Sequence, residues 1–407
     1  MDEPMSAEAA LDECQRSDIL CRVSTPMHPM LRLLIAIPLL AFAAVHGEEN
    51  AAVYVNSPAL KALPVEGDPA STPSTIPPGP ATLPTPESES PLNLKPTGDD
   101  AVRLQIFLDE AHFGPGVIDG KPGRFTELAA QAWNEVNGHP HDDWTAVNRA
   151  AREAVPNPFA VAVVPTAASA WVDSTLPTSR ALQAKKKRMS YRGYAEFMAE
   201  RYHCDVPFLA SLNPGLRIHS LKPQDSLVVP NVTPFLIESI SGVNHPADEQ
   251  LSKRHVVVDT KVNQVRIFEP MPVALVVAEP GTEPVASTTR ANSALVASFP
   301  ITPGQPKFIK LGNFELRNMV ELPWWRYDQQ FLDTGKRSEN ALNIPPGPNS
   351  PVGIIWNGTS KPGIGLHGTS DPETIGRSRS AGCIRLANWD AIRLTKLIRP
   401  GASVEIR

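Results

Sequence analysis

The sequence predicts a multidomain protein whose C-terminal part is a β-rich, mixed, sandwich-like domain with one helix, preceded by small helical and α+β modules. Three observations predict it. From His255 onward, short runs of β-branched and alternating residues recur between turns, as strands do. Before that point apolar residues fall at helical spacing in two separate stretches. Between the periodic segments gather many of the 43 prolines, where linkers and loops belong.

A chain of 407 residues exceeds one ordinary core, since about 150 residues per domain is usual. The formal net charge of −5 lacks the basic excess that nucleic acids and anionic membranes attract, so no nucleic-acid partner is expected. Small molecules or neutral polymers fit better. Cys14, Cys21, Cys204 and Cys383 have no metal-ligand spacing and are too few for a disulfide framework, which leaves a cysteine free for chemistry.

Residues 1–47 read as an N-terminal extension and signal peptide. The apolar run Leu33–Ala43 follows Arg32, ends in the small-x-small sequence Ala41-Phe42-Ala43, and falls short of the ~20 residues that span a bilayer. A membrane anchor is the competing reading. The acidic Asp2, Glu3, Glu8, Asp12 and Glu13 do not suit a signal's positive start, which points to translation from Met27 or Met30. Cleavage would leave Cys204 and Cys383 as the mature chain's cysteines and send the protein to the periplasm or cell envelope. Residues 48–98 are rich in Pro, Ser, Thr and Glu and cannot bury enough apolar surface to fold, so a disordered spacer is expected.

Over residues 99–150, Val102, Leu104, Ile106, Phe107 and Leu108 set a helical period. The turn Phe113–Gly120 follows, then a second helix through Leu128, Ala132 and Val136. This helix, Val-Ile-Asp-Gly turn and helix resemble the small helical peptidoglycan-binding domain, with Lys121-Pro122-Gly123-Arg124-Phe125 as a departure; a generic helical hairpin is the plain alternative. Residues 151–189 read as linker, ending in the basic run Lys185–Arg188, taken as a solvated stretch. Over residues 190–235 a helical segment with Ala195, Phe197, Met198 and Tyr202 leads to Leu212-Asn213-Pro214, Leu221-Lys222-Pro223 and the strand Leu227–Pro230. That order resembles a LysM module, although Tyr191-Arg192-Gly193 stands where the family's opening strand is expected. The resemblance implies glycan strands as partners, with a scaffold role as the alternative. His203 beside Cys204 is not a metal pair, because neighbouring residues do not easily face one ion, and Cys204 reads as a small core residue.

In residues 253–407 the strands are Val256–Asp259, Gln264–Phe268, Leu295–Ile301, Phe314–Leu316, Val352–Trp356 and Ser403–Ile406. One helix follows Asn388, expected as its N-cap, with Ala391, Leu394, Leu397 and Ile398 on the apolar face and Pro400-Gly401 as its stop. Two glycine-rich segments stand out, Gly363–Thr369 and Ser380–Leu386, and 16 positions separate His367 from Cys383. A cysteine thiolate is a strong nucleophile, and an imidazole or converging backbone N–H groups make it more available. Gly382 removes a Cβ beside the sulfur, so that the N–H groups of Gly382 and Cys383 can meet on a developing oxyanion.

Ile364-Gly365-Leu366-His367-Gly368-Thr369 followed by Ser380-Ala381-Gly382-Cys383-Ile384-Arg385-Leu386 is similar to the signature of the L,D-transpeptidase (YkuD-type) catalytic domain. Pro300-Ile301-Thr302, Gly312-Asn313-Phe314 and Pro345–Gly353 match its ordered landmarks. The resemblance implies a cell-wall enzyme that takes the acyl group of a peptidoglycan tetrapeptide stem, releases the terminal D-Ala, and passes the acyl to an amine. It implies Cys383 as nucleophile, His367 as base, the Gly368 carbonyl as orienter of the imidazole, and Gly382 in the oxyanion region. Ser380, Thr369 and Arg385 fall on the substrate side, Arg385 as a cation for a stem carboxylate. No metal and no cofactor are implied. Stem peptides and glycan strands are the expected partners, with an envelope protein among the candidate acyl acceptors. Ala381 occupies the place where some members carry a second histidine, and Lys310-Leu311-Gly312 replaces a Thr-Pro-x-Gly landmark.

Two other readings stay open: an L,D-carboxypeptidase, in which water takes the acyl group, and an inactive wall-binding protein. Penicillin-binding chemistry is disfavoured because Ser-x-x-Lys is missing from the sequence, and zinc peptidase chemistry because none of the ten histidines stands in His-Glu-x-x-His. Between Glu321 and Asn343 an insertion carries Trp324, Trp325, Tyr327 and Phe331, suited either to a lid over the cleft or to packing on the sandwich.

Overall fold

A computed structural model describes residues 81–85, 88–271, 293–334, 336, 338–378 and 382–407. The signal run, the alternative start sites, residues 48–80, 86 and 87 of the spacer, Cys14, Cys21, Ser380 and Ala381 lie outside them.

The N-terminal third begins with helices α1 (Gly98–Glu110), α2 (Arg124–Val136) and α3 (Trp144–Ala154). Buried Gln105 on α1 explains the Val-Ile-Asp-Gly turn. Its Oε1 accepts the N–H groups of Asp119 and Gly120 at 3.1 and 2.9 Å, while its Nε2 donates to Asp119 Oδ1 at 2.9 Å. Gly120 sits at φ +69°, where a side chain is strained. Asp143 caps α3 by accepting from Ala146 N–H.

Next come β1 (Phe159–Val163), the short α4 (Arg180–Gln183), α5 (Tyr194–Arg201), α6 (Val206–Leu212) and β2 (Ser226–Pro230). Residues 151–189, expected as linker, are therefore corrected: β1 pairs antiparallel with β2, Phe159 opposite Pro230. Its partner lies far downstream, and its flanking prolines and alanines mimic a linker composition. The basic run is likewise engaged, with Lys186 on Asp173 at 2.8 Å and Arg188 3.8 Å above the Trp171 ring. Asn213 gives the Leu-Asn-Pro turn its reason. Its Nδ2 donates to the carbonyls of Leu209 and Val228, each at 2.8 Å, and its Oδ1 accepts from Val228 N–H at 2.7 Å, tying α6 to β2.

The C-terminal part comprises β3 (His255–Asp259), β4 (Gln264–Pro270), β5 (Ser293–Pro300), β6 (Gly312–Glu321), β7 (Trp325–Tyr327), α7 (Gln329–Thr334), β8 (Leu342–Ile344), β9 (Ile355–Thr359), β10 (Gly365–His367), β11 (Ile384–Arg385), α8 (Asn388–Leu397) and β12 (Ser403–Ile406). Eight of its strands form one mixed sheet in the order β11-β10-β9-β6-β12-β3-β4-β5. The sandwich-like form comes from how this sheet bends. The first part of β6 pairs with β12, the second part with β9, and the register shifts between Leu316 and Asn318. At the far ends Thr302, just past β5, bridges Arg385 of β11 through two backbone hydrogen bonds of 2.9 Å, so the sheet curls back on itself.

The modules are not separate beads. One continuous hydrophobic core runs from Val102 on α1 through Phe197 and Leu227 to Trp389 and Ile406. At its centre Arg393 of α8 donates to Asp109 of α1 at 2.6 and 3.0 Å, Asp109 also meets His203 Nδ1 at 2.9 Å, and the His203 ring stacks on Trp389 at 5.2 Å. The cap of α8 is a second correction. Ala387, not Asn388, is the N-cap, and the Asn388 side chain turns away into the interior.

Candidate functional site

The candidate site lies where β10 and β11 run side by side. Their parallel register places Leu366 beside Ile384 and His367 beside Arg385. Cys383 stands immediately before β11, two residues ahead of Arg385, which is the partner of His367 across the pairing. Glycines frame the approach: Gly363 stands at φ +79° and Gly382 at φ +155°.

His367 is buried and its Nδ1 lies 2.6 Å from the Gly368 carbonyl oxygen. A carbonyl only accepts, so Nδ1 carries the proton and Nε2 is left as an acceptor. Burial lowers the imidazole pKa to about 4, against the opposing pull of the Gly368 carbonyl and with the help of the Arg385 charge. The Trp356 ring stacks on the imidazole, with centroids 5.6 Å apart and planes 18° from parallel. Base, carbonyl and platform thus hold one neutral tautomer.

Cys383 is half-buried and a free thiol, as is buried Cys204. Its S–H donates to the Gly363 carbonyl at 3.2 Å. Burial pushes its pKa up to about 11, opposed by the Gly365 backbone N–H and the Arg385 guanidinium. The sequence expectation that its surroundings make the thiolate more available is corrected: desolvation outweighs the Gly365 N–H and the Arg385 charge, so the thiol is favoured. The resting pair is thiol and imidazole.

Arg385 is partly desolvated, which lowers its own pKa, and it feels the charges of Asp371 and Cys383. Its Nε is buried without a hydrogen-bond partner. Thr369 is buried and its hydroxyl accepts the Asp371 N–H at 3.3 Å, a turn-fixing contact. Ser380 falls outside the described residues.

Several neighbours carried no clear signal in the sequence. A Cβ on Gly304 would lie 2.5 Å from Gly382 Cα, so the Pro303-Gly304 loop rests directly on the nucleophile's turn. Gly353 (φ +60°) and Gly368 face each other across Asn388: a Cβ on either would fall 2.2 or 2.0 Å from Asn388 Oδ1. The landmark Pro345–Gly353 had drawn attention to Gly353, but nothing marked Gly304 or the inward turn of Asn388.

The insertion packs mainly away from the sheet. Its β7–β8 hairpin joins Leu176 and Met189 in a small second core with Ile344, Trp325 and Tyr327. The Arg180 guanidinium sits 5.4 Å from the Trp325 centroid and 5.9 Å from that of Tyr327. Trp324 remains 63% exposed. Among the described residues no group of His, Cys, Asp and Glu is placed to hold a metal ion, and no helix is long and apolar enough to cross a membrane.

Residues 285–406 match the family model of the L,D-transpeptidase catalytic domain, YkuD. Two curated relatives, from Bacillus licheniformis and Bacillus subtilis, carry the name L,D-transpeptidase YkuD as a provisional assignment. Each is 40% identical over 65 residues, covering 16% of this chain. The aligned segment spans only 39% and 40% of those relatives' lengths. Among solved structures, L,D-transpeptidase 3 from Mycobacterium tuberculosis aligns at 13% identity over 46% of this chain and 76% of its own, with a TM-score of 0.26. An L,D-transpeptidase from Mycobacterium smegmatis aligns at 14% identity over 38% of this chain and 58% of its own, with a TM-score of 0.25. The family match begins at residue 285, while β3 and β4, which precede it, lie in the same sheet as the strands within it.

Proposed function

We propose that residues 253–407 form an L,D-transpeptidase of the bacterial cell wall that works through a thioester on Cys383. The observation that carries this reading is the His367 Nδ1 contact with the Gly368 carbonyl at 2.6 Å, which leaves Nε2 as an acceptor on β10, the strand paired with the one that Cys383 leads into.

In the first step His367 Nε2 takes the Cys383 S–H proton while sulfur attacks the stem carbonyl that precedes the terminal D-Ala. The N–H groups of Gly382 and Cys383 face the oxyanion as the S–C bond forms. Collapse breaks the C–N bond, and D-Ala departs with the proton returned from the imidazolium. An amine then attacks the thioester and gives its proton to His367; the S–C bond breaks, and the imidazolium returns a proton to sulfur. A neutral base and a neutral thiol suit this concerted path. Arg385, whose Nε is buried without a partner, is the candidate cation for a stem carboxylate. Thr369 supports the turn behind Asp371.

The helices α5 and α6 followed by β2 support the LysM-like reading of residues 190–235, with β1 from the preceding segment as the strand that pairs with β2. The three helices before it support a wall-binding role for the first module. The apolar run at residues 33–43 supports export to the periplasm or cell envelope, which sequencing the mature N-terminus tests.

Incubation of the mature protein with disaccharide-tetrapeptides, read by mass spectrometry, tests the reaction. Cross-linked dimers with release of D-Ala are expected. Loss of D-Ala alone identifies an L,D-carboxypeptidase, and no change together with binding to sacculi identifies an inactive wall-binding protein. A Cys383→Ala variant that still makes dimers removes the thioester from the mechanism.

A further inference from the structure

The upstream module reaches the candidate site through one buried chain of contacts. Tyr191 O–H donates to Glu200 Oε2, and Asn388 Nδ2 donates to Glu200 Oε1 at 2.8 Å. Glu200 belongs to α5 and Asn388 to α8, so this contact joins the α5–α6 module to the sheet domain. The same Asn388 amide donates weakly to the Pro348 carbonyl at 3.3 Å and accepts the Ile354 N–H through Oδ1 at 3.3 Å. That Oδ1 lies against the Cα of Gly368, where a Cβ would come within 2.0 Å of it. Gly368 is the residue whose carbonyl holds His367.

We infer that Glu200 is a positioning residue for His367, acting through the orientation of the Asn388 amide and the placement of the Gly368 peptide. The inference rests on the reading of His367 as the base that activates Cys383.

An amide has one accepting and one donating end, and reversing it would aim N–H at the Ile354 N–H and against Gly368. Glu200 Oε1 accepts from Nδ2 at 2.8 Å, and with the side chain's proton held on Oε2, the oxygen that faces Tyr191, it remains an acceptor that opposes the reversal. Asn388 is completely buried and Glu200 nearly so, and water competes poorly there. Without the acceptor, Nδ2 keeps only the long contact to Pro348. Gly368 then loses the contact that fixes its peptide plane, and the carbonyl drifts from Nδ1. The helical module is thereby a working part of the base and not only a tether to the wall.

The test compares Glu200→Met, which keeps volume and removes the acceptor, with Glu200→Gln, which keeps an acceptor oxygen. Val229→Ala, in the core of the same module, controls for lost stability. Two readouts apply: the iodoacetamide alkylation rate of Cys383, assigned by peptide mapping, and the 15N signature of the His367 Nδ1–H tautomer. Glu200→Met is expected to slow alkylation about tenfold, the effect of ~1.4 kcal/mol at the transition state, and to blur the tautomer signature. Glu200→Gln is expected to stay within about twofold of wild type, a difference of ~0.4 kcal/mol. Should Glu200→Met fail to fold, Tyr191→Phe with Glu200→Met removes the stranded hydroxyl and carries the same comparison. Wild-type alkylation and an unchanged tautomer in the Met variant overturn the inference, as does an equal loss in Val229→Ala at matched thermal midpoint. Both readouts are independent of wall substrates. A wild type that leaves disaccharide-tetrapeptides untouched while Glu200→Met still slows alkylation overturns the transferase reading alone.

Discussion

His367 Nδ1 and the Gly368 carbonyl oxygen stand 2.6 Å apart, and this contact sets the protonation chemistry of the candidate site. It fixes a neutral imidazole whose pKa burial lowers to about 4, while desolvation pushes the Cys383 thiol up to about 11. The pair is therefore not a thiolate and an imidazolium near neutral pH. Iodoacetamide alkylation of Cys383 should keep rising with pH beyond about 8.5, the value for a free cysteine, with no plateau between about pH 6 and 8. Thiolate absorbance in the ultraviolet, followed against pH, checks the same point. A plateau near pH 6 would show a preformed ion pair and contradict the burial of both groups.

Gly304 should tolerate no side chain. A methyl there would lie 2.5 Å from Gly382 Cα and 2.7 Å from Gly382 O, backbone atoms that move only with the nucleophile's turn. Gly304→Ala is expected to cost about 1–3 kcal/mol, the range for overpacking, and to slow Cys383 alkylation in the folded fraction. Urea unfolding and alkylation kinetics together check it. Wild-type values for both would mean that the two loops separate freely.

The chemistry was more legible in the sequence than the assembly. His367, Gly368 and Cys383 sit in short local motifs, and adjacent strands bring such motifs together with little help from the rest of the chain. The strands of the sheet domain were readable because alternation is a local property. β1 was not, since Phe159–Val163 acquires its meaning from Pro230 and its neighbours, far downstream. Asn388 looked like a cap because helix-start residues share one chemistry, while its real partners, Glu200 and Pro348, come from other segments. An apolar helix face tells that something covers it, not what. For α1 the cover is α2 and α3, and for α5 it is α6 and α8, which no period in the sequence specifies.

Arg393 should be the costliest surface-seeking side chain to remove. It donates twice to fully buried Asp109, whose carboxyl it and His203 hold well below the ordinary range despite the opposing effect of burial. Arg393→Leu leaves that carboxylate with His203 alone, and loss of one partner of a buried pair costs about 3–5 kcal/mol. Asp109→Leu with Arg393→Leu should recover part of the loss, because of the two carboxyls that Arg393 meets only Asp390, at 3.3 Å, then stands without its cation. Chemical denaturation of the three proteins checks this. Equal stability of the single and double variants would mean that the charges are solvated and that the α1–α8 contact is incidental.

Glu200 should make stability fall as pH rises. Burial raises its pKa from 4.5 to about 8, against the hydrogen bonds from Tyr191 and Asn388 that favour the charged form. A carboxyl that binds its proton more tightly when folded contributes most below its unfolded pKa, and that contribution is lost as pH climbs through the folded value. The window is therefore pH 4.5 to about 8. Asp390, also raised to about 8 by burial, adds to the same slope, so the difference between proteins is the informative quantity. Wild type minus Glu200→Met, measured by urea denaturation across this window, should decline steadily with pH and level off above it. A flat difference would mean that water reaches the carboxylate and keeps it charged in the folded protein at neutral pH.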